Sequence, residues 1–236
     1  MTTKFSLVIP CYNEESNIDP FIENAMNIIN DKSYEIILVN NGSVDKTREK
    51  VEFYSNKFTN VKHINIKKNI GFGYGVFEGL KKTSGHIVGY THADLQTDPN
   101  DFIKAINWIE NQSVESNYFV KGLRHSRNFL DVFFTRSMGI FISMVFGSYL
   151  YDIGAQPVVF NRSLLNKCSV FPNNFTIEIY LYFLAKKNDY KIHRFDVNFP
   201  KRIYGLGNND TFLKKIKNSF IVIIESLSLR YKLLFK

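Results

Sequence analysis

Four short runs rich in Val and Ile, FSLVIP (5 to 10), EIILVN (35 to 40), VKHINI (61 to 66) and HIVGY (86 to 90), punctuate the first hundred residues. Helix-like stretches separate them, and this alternation is the pattern of βα units built around a largely parallel sheet. The first of these stretches has Asp19 as a candidate N-cap, Pro20 in its first turn, and Phe21, Ile22, Ala25, Met26 and Ile29 at helical spacing. Helices are expected over about residues 45 to 58 and 72 to 83. A fourth follows Pro99, with Phe102, Ile103, Ile106 and Ile109 on one face. Sheets of this kind bind ligands beyond the carboxyl ends of their strands. Unusual polar residues stand at the ends of the first, second and fourth runs.

At 236 residues, with 44% hydrophobic and 22% charged, the chain has globular composition and enough length for one core. The expected organisation is one domain over residues 1 to 210 followed by a basic amphipathic helix over 211 to 236. Two cysteines, Cys11 and Cys168, stand far apart in no metal-type spacing, which points to a reducing, cytosolic setting. The apolar run near the N-terminus is only about six residues long, too short for a signal-peptide core. The net charge of +8 lies entirely in residues 186 to 236, where twelve Lys or Arg face four Asp or Glu. No nucleic-acid motif accompanies that charge, which argues against a nucleic-acid partner. Residues 129 to 151 and 220 to 235 are apolar but broken by Asp131, Arg136, Glu225 and Arg230. Neither offers about 20 uninterrupted apolar residues, so no membrane span is expected.

The segment HIVGYTHADLQTDP (86 to 99) ends a strand in His92, Asp94 and Gln96 at alternate positions. Strand side chains alternate with period two, so an imidazole, a carboxylate and an amide oxygen would share one side, as ligands to a divalent cation must. The segment resembles the D-x-D-x-Q metal and nucleotide-sugar signature of family 2 glycosyltransferases, with His92 in the place of the first Asp. SLVIPCYNEESNI (6 to 18) is similar to that family's opening V-I-P-x-Y-N-E-E, a turn that lines the nucleotide pocket. VNNGSVDKT (39 to 47) resembles V-D-D-G-S-x-D-x-T, with Asn40 and Asn41 replacing both acids. Asp45 is also a natural cap for the helix that follows. An Asn amide can donate as well as accept, so a cytosine nucleotide becomes more admissible than it would be with Asp.

KKNIGFGYGVFEGLKKTSG (67 to 85) resembles the family's N-x-G-x-G segment. Its glycines either let the helix approach the sheet closely, at Gly71, Gly75 and Gly79, or open a helix N-terminus toward a phosphate, with Lys67 or Lys68 nearby. Further on, KGLRHSR (121 to 127), YDIGAQPVVFNRSLL (151 to 165), NNFTIEIYLYFLAKK (173 to 187) and VNFPKRIYGLGNN (197 to 209) resemble later family segments in order. The likeness is greatest to the dolichol-phosphate mannosyltransferase-like branch.

The resemblance implies a GT-A-type α/β fold: a mixed, mostly parallel sheet flanked by helices, here with a C-terminal amphipathic helical segment. It implies an inverting glycosyltransferase that moves a sugar from a nucleotide-diphosphate sugar donor to a polyprenyl phosphate or a surface-glycan acceptor. The implied donor site is Pro10, Tyr12, Asn13, Glu14, Asn40, Asn41, Ser43, Gly71 and Asp94. Mn²⁺ or Mg²⁺ would be held by Asp94, Gln96 and His92, of which His92 suits Mn²⁺ and is a poor ligand for Mg²⁺. Arg124, Arg136 and Arg202 would grip an anionic acceptor or the leaving diphosphate. Asp94, Glu178 and Asp152 are the catalytic candidates. A hydroxyl acceptor would need Glu178 or Asp152 as general base, whereas a lipid phosphate is already ionised. The basic tail could lie on the inner face of the cytoplasmic membrane with Lys214, Lys215 and Lys217 toward headgroups, or pair two copies of the chain as a homodimer. The alternative function is a GT-A-like protein that binds a nucleotide sugar with weak or no catalysis, since three acids are replaced at Asn40, Asn41 and His92.

Overall fold

The computed structural model describes residues 4–29, 33–112, 116–125, 127–200 and 212–235. Strands β1 (Phe5–Cys11), β2 (Tyr34–Asn41), β3 (Val61–Ile66) and β4 (Ile87–Tyr90) alternate with helices α1 (Glu15–Ile28), α2 (Thr47–Lys57), α3 (Phe72–Lys81) and α4 (Pro99–Glu110). The chain continues through β5 (Tyr118–His125), α5 (Phe129–Phe146), β6 (Val158–Asn161), a 3-10 helix (Arg162–Lys167), α6 (Thr176–Lys187), β7 (Lys191–Asn198) and α7 (Phe212–Leu234).

The seven strands form one sheet in the order β3-β2-β1-β4-β6-β5-β7. Strands β1 to β4 are mutually parallel, β6 runs against both β4 and β5, and β5 is parallel to β7. Six strands therefore point one way and only β6 is reversed. The reversal brings the residues entering β6, Asp152 to Gln156, to the edge where β4 and β5 end. Ligand chemistry collects at that edge in open sheets.

Side chains alternate across the strands and build two cores. On one face Val8, Ile37, Val88 and Phe160 pack against α3, α5, α6 and α7. On the other Leu7, Ile9, Ile36, Leu38 and Val159 pack against α1, α2 and α4. Strands β1 and β2 are covered on both faces, which is why they read as unbroken apolar runs.

Helix α1 begins at Glu15, a full turn before the expected cap at Asp19, and holds Pro20 inside it. Tertiary bonds account for the early start. Glu14 N donates to Thr47 Oγ1 at 2.8 Å and Glu15 N to Asp45 Oδ2 at 3.2 Å, giving the first turn's amides partners outside the helix. The expectation of no candidate span also changes. Helix α5 is long and apolar enough, by length and composition, to cross a membrane. Yet Gly139, Ile142 and Phe146 on one of its faces are buried on the domain. Helix α7 is likewise built into the fold, packed on α5 and α6 with Ser226 and Leu229 buried.

Candidate functional site

The loops that leave β1 and β2 are joined by reciprocal hydrogen bonds. Asn13 N donates to Ser43 Oγ at 3.1 Å, and Val44 N donates to Asn13 Oδ1 at 3.0 Å. Lys46 N donates to Glu15 Oε2 at 3.0 Å, while Asp45 accepts from both Thr47 N and Glu15 N. Asp45 thus accepts from the first amide of both helices, although the cap position of α2 is Lys46, one residue later than the sequence suggested. Tyr12 stands exposed above this pair of loops.

Asn40 and Asn41 are both buried at the end of β2. Asn40 Oδ1 accepts from Ser43 N at 3.1 Å, and its Nδ2 donates to Asn65 Oδ1 at 3.1 Å. Asn65 in turn donates to Glu52 at 2.8 Å. A carboxylate only accepts, so Glu52 fixes the orientation of Asn65, which fixes that of Asn40. Asn41 Nδ2 donates to Gly71 O at 3.0 Å, and Asn41 Oδ1 is buried with no hydrogen-bond partner among the described residues.

The glycine segment resolves in favour of packing. A Cβ on Gly79 would collide with Val8, and one on Gly75 would press on Asn41 and Pro10, so α3 lies directly on β1 and β2. Gly71, expected at the donor, has φ +130° and would drive a Cβ into the carbonyl oxygen of Asn173. Tyr74 N, in the first turn of α3, donates to that carbonyl at 3.1 Å. The loop 171–175 therefore occupies the approach that a phosphate would need. Gly71 is a close-packing position, and the phosphate reading of this helix end is corrected accordingly.

Past β4 the chain carries His92, Asp94 and Gln96 through a turn with Leu95 at φ +61°. A positive φ is uncommon for a residue with an apolar side chain and marks a turn that its surroundings enforce. Asp94 is buried, and its Oδ1 accepts from Gln96 N at 3.1 Å. Gln96 Nε2 donates to Pro200 O at 2.8 Å, which ties this turn to the chain leaving β7. The ring of His92 is stacked on Phe72 at 4.8 Å, and Phe72 is stacked on Phe175 at 4.9 Å. Among the described residues no three His, Cys, Asp or Glu side chains converge as a metal group. The donor set offered by Asp94 and the Gln96 amide oxygen is hard, as Mg²⁺ and Mn²⁺ prefer.

The remaining candidates lie where β5 ends and β6 begins. Asp152, at φ +42°, accepts from Arg124 N at 2.8 Å and from Arg124 Nε at 2.9 Å. Arg127 and Arg194 bring guanidinium nitrogens to 3.7 and 3.8 Å from the same carboxylate. Burial pushes the Asp152 carboxyl up, but Arg124, through its charge and its hydrogen bonds, outweighs burial and holds it below the usual carboxylate range. Glu178 is buried under this cluster. Its Oε2 pairs with Lys121 Nζ at 2.6 Å and its Oε1 accepts from Gln156 Nε2 at 2.8 Å. Burial lowers the fully enclosed Lys121 to about 8, against the pull of Glu178.

Arg124 and Asp152 are thus brought together, while Arg136 stands exposed on α5 and takes no part in the cluster. Arg127 and Arg194 take part instead. Arg127 is anchored by Asp131 O and Thr135 Oγ1, and Arg194 by the carbonyls of Gly122 and Tyr151. Arg127 was visible in the basic run 124 to 127. Arg194 could be found only from the pairing of β5 with β7, which sets it opposite Lys121. Arg202 lies outside the described residues. A cavity of about 620 Å³ lined by Lys81, His86, Arg162 and Phe171 lies at the amino end of β4, remote from all these groups.

A parallel half-sheet, a reversed sixth strand and a polar turn after β4 define an α/β fold of the GT-A type. Solved structures of glucosyl-3-phosphoglycerate synthase from Mycobacterium tuberculosis share it. One, in complex with Mn²⁺, UDP and glucosyl-3-phosphoglycerate, aligns with a TM-score of 0.73 over 97% of this chain and 80% of that one, at 18% identity.

The sequence profile described as Glycosyl transferase family 2 matches residues 6–160, and the chain belongs to that family. The dolichol-phosphate mannosyltransferase of Pyrococcus furiosus is 37% identical over 122 residues, 50% of this chain and 34% of that protein. The dolichyl-phosphate beta-glucosyltransferase of Dictyostelium discoideum is 24% identical over 218 residues, covering 83% of this chain and 66% of its own length. The dodecaprenyl-phosphate galacturonate synthase of Rhizobium johnstonii is 24% identical over 172 residues, 70% of this chain and 49% of that protein. The chain spans between a third and a half of the length of several such relatives.

Proposed function

We propose that this chain is a glycosyltransferase that moves a sugar, with inversion, from a nucleotide-diphosphate sugar to a polyprenyl phosphate at the cytoplasmic face of a membrane. The observation that carries the acceptor assignment is the cluster around Asp152. Three guanidinium groups converge on a single carboxylate, an excess of positive charge that suits a phosphate. Both candidate bases are also committed: Asp152 to Arg124, and Glu178 to Lys121 and Gln156. An acceptor that is ionised beforehand needs no base, whereas a sugar hydroxyl does. The names of the relatives, which carry sugars on dolichol or dodecaprenyl phosphate, point the same way.

Asp94 and the Gln96 amide oxygen would hold the divalent ion. When bound, such an ion offsets the negative charge that builds on a departing diphosphate. His92, packed in its ring stack, walls the pocket in this reading and leaves the ion to the oxygen donors. The paired loops after β1 and β2, with Pro10, Tyr12, Asn13, Glu14, Asn40, Asn41 and Ser43, would receive the nucleotide.

Membrane contact would be made by α5 and α7 together. They pack on each other and expose Phe129, Phe133, Ile140 and Met144 on one helix and Phe220, Ile224, Tyr231 and Leu234 on the other. With one face of α5 buried on the domain, the pair suits lying in the interface better than crossing it. Lys214 and Lys217 are exposed beside this surface, whereas Lys215 is turned to Asp131.

The test is transfer from labelled UDP-, GDP- and CDP-sugars, with Mn²⁺, to a polyprenyl phosphate in anionic vesicles and to a soluble glycan in parallel. Lipid-linked product is expected, absent in Asp94→Ala. Product on the glycan alone would overturn the acceptor, and nucleotide binding without turnover would favour the weakly catalytic alternative, which the replacement of three acids supports. Concentration-dependent self-association without vesicle binding would assign the α5–α7 surface to a second copy of the chain.

A further inference from the structure

Where β7 ends, the two residues that follow it reach both halves of the site. We infer that Phe199 is a positioning residue for the acceptor: its ring covers one face of the Arg124 guanidinium and keeps the outer nitrogens of that group turned to the space beside Gly154, where an oxygen of the acceptor phosphate would be received. The inference deepens the polyprenyl-phosphate reading above, on which it rests. It adds Phe199 and Gly154, neither of them among the residues expected at the site.

Arg124 is held along one edge and over one face. Its Nε donates to Asp152 Oδ1 at 2.9 Å and its Nη2 donates to the same oxygen, so that edge of the fork is committed. Its backbone N donates to Asp152 Oδ2 at 2.8 Å, which fixes the carboxylate relative to β5. The guanidinium carbon lies 5.2 Å from the centroid of the Phe199 ring, within the range of a cation–π contact. Among the described residues Nη1 has no hydrogen-bond partner. A Cβ on Gly154 would stand 3.8 Å from Nη2 and 3.9 Å from Nη1, and Gly154 is itself exposed. Glycine therefore leaves uncovered the nitrogens that Asp152 does not saturate. An anionic oxygen arriving there would meet a planar fork already oriented, the geometry in which guanidinium binds phosphate well.

Phe199 has supports of its own. On one side Asn198 pairs with His125 at the end of the ladder between β5 and β7, and on the other Pro200 O accepts from Gln96 Nε2 at 2.8 Å. The half-buried ring is thus carried between two fixed points, the second of them in the turn that holds Asp94. Its contact with Arg124 and its packing can be separated by substitution. A leucine fills comparable space but has no ring quadrupole, whereas a tyrosine keeps the face that attracts a cation.

The test uses the full chain, a polyprenyl phosphate in anionic vesicles, and the variants Phe199→Leu, Phe199→Tyr and Gly154→Leu. Phe199→Leu is expected to raise the acceptor KM about three- to fivefold, the size of one cation–π contact at a partly exposed site, with kcat and the donor KM within about twofold. Phe199→Tyr is expected to hold all three within about twofold of wild type. Gly154→Leu sets a side chain against Nη1 and Nη2. It is expected to raise the acceptor KM roughly tenfold or more, the size of one lost charge-assisted hydrogen bond, and to leave the nucleotide Kd unchanged. A readout independent of turnover is the Nε proton resonance of Arg124, assigned by its loss in Arg124→Lys and displaced by the Phe199 ring. It is expected to move toward its unstacked position in Phe199→Leu and to stay in place in Phe199→Tyr. An unmoved resonance, an acceptor KM unchanged in Phe199→Leu or in Gly154→Leu, or a loss in Phe199→Tyr as large as in Phe199→Leu would overturn the inference. Failure of the wild type to glycosylate any lipid phosphate would overturn the acceptor reading, while the resonance still reports whether Phe199 holds Arg124.

Discussion

Removing Lys121 while leaving Glu178 isolates the energetics of the buried pair. Lys121 is fully enclosed and Glu178 nearly so, and their charges meet at 2.6 Å. In Lys121→Met the Glu178 carboxylate would keep only the Gln156 amide, and an uncompensated buried charge of this kind costs about 3–5 kcal/mol. Glu178→Gln strands the ammonium instead, and that loss is bounded because Lys121, already lowered to about 8, can shed its proton. The double variant Lys121→Met/Glu178→Gln removes both charges at similar volume. It is expected to lose less than Lys121→Met alone, a coupling of roughly 2–3 kcal/mol between residues in direct contact. Urea unfolding at pH 7 with a shared slope measures all four proteins. Additive losses in the double variant, or a loss under about 1 kcal/mol in Lys121→Met, would refute the argument, since either would mean that the pair is hydrated or uncoupled.

Titration gives the same pair a second signature. The folded-state pKa of Lys121 is depressed, so between about pH 8 and the ordinary lysine range the unfolded chain binds more protons, and wild type should gain stability relative to Lys121→Met as pH rises through that window. A flat or falling difference by urea titration would contradict this sign. Gly71→Ala places a side chain at φ +130° against the Asn173 carbonyl and should cost roughly 3 kcal/mol or more in thermal or urea unfolding, where a simple loop position would lose almost nothing. Asn40→Asp sets a carboxylate against the oxygen of Asn65, which Glu52 prevents from turning. It should lose about 1–3 kcal/mol and shift nucleotide preference away from CDP in a thermal-shift panel with Mn²⁺. An unchanged ranking of UDP, GDP and CDP would remove Asn40 from base selection.

The parallel half of the sheet was readable because β1 to β4 are runs of Val and Ile bounded by polar turns, a signal carried within a few adjacent residues. Strand β6 escaped notice, being four residues long, and β7 because KIHRFDVN mixes charges into a strand exposed along much of its length. At the site, Asp94, Gln96, Arg124 and Asp152 stood in motifs and were legible. Lys121, Gln156, Arg194 and the Phe72–Phe175 stack were not, since each acquires its role from a partner distant in sequence and nothing local distinguishes them. Gly71 illustrates the converse. Its motif was plain, but whether the space above it held a phosphate or the 171–175 loop depended on a chain segment a hundred residues away.

The hydrogen bonds between the β1 and β2 loops also bear on how the chain finds its alignment. FSLVIPC and YEIILVNN are apolar along most of their length and enclosed on both faces, so a one-residue slip would still bury apolar side chains and burial alone discriminates weakly. Polar contacts supply the discrimination at both ends of the pair. At the start Ser6 lies directly opposite Glu35 and donates to it at 2.6 Å, and Ser84 donates to the same carboxylate. At the finish Asn13 meets Ser43 and Glu14 meets Thr47. A slipped β1 would forfeit the Ser6 bond and both loop contacts at once, while Glu35 would keep only Lys62 and Ser84. The motif residues at the strand ends therefore act as a proofreading device during folding, rejecting misaligned pairings before any ligand arrives.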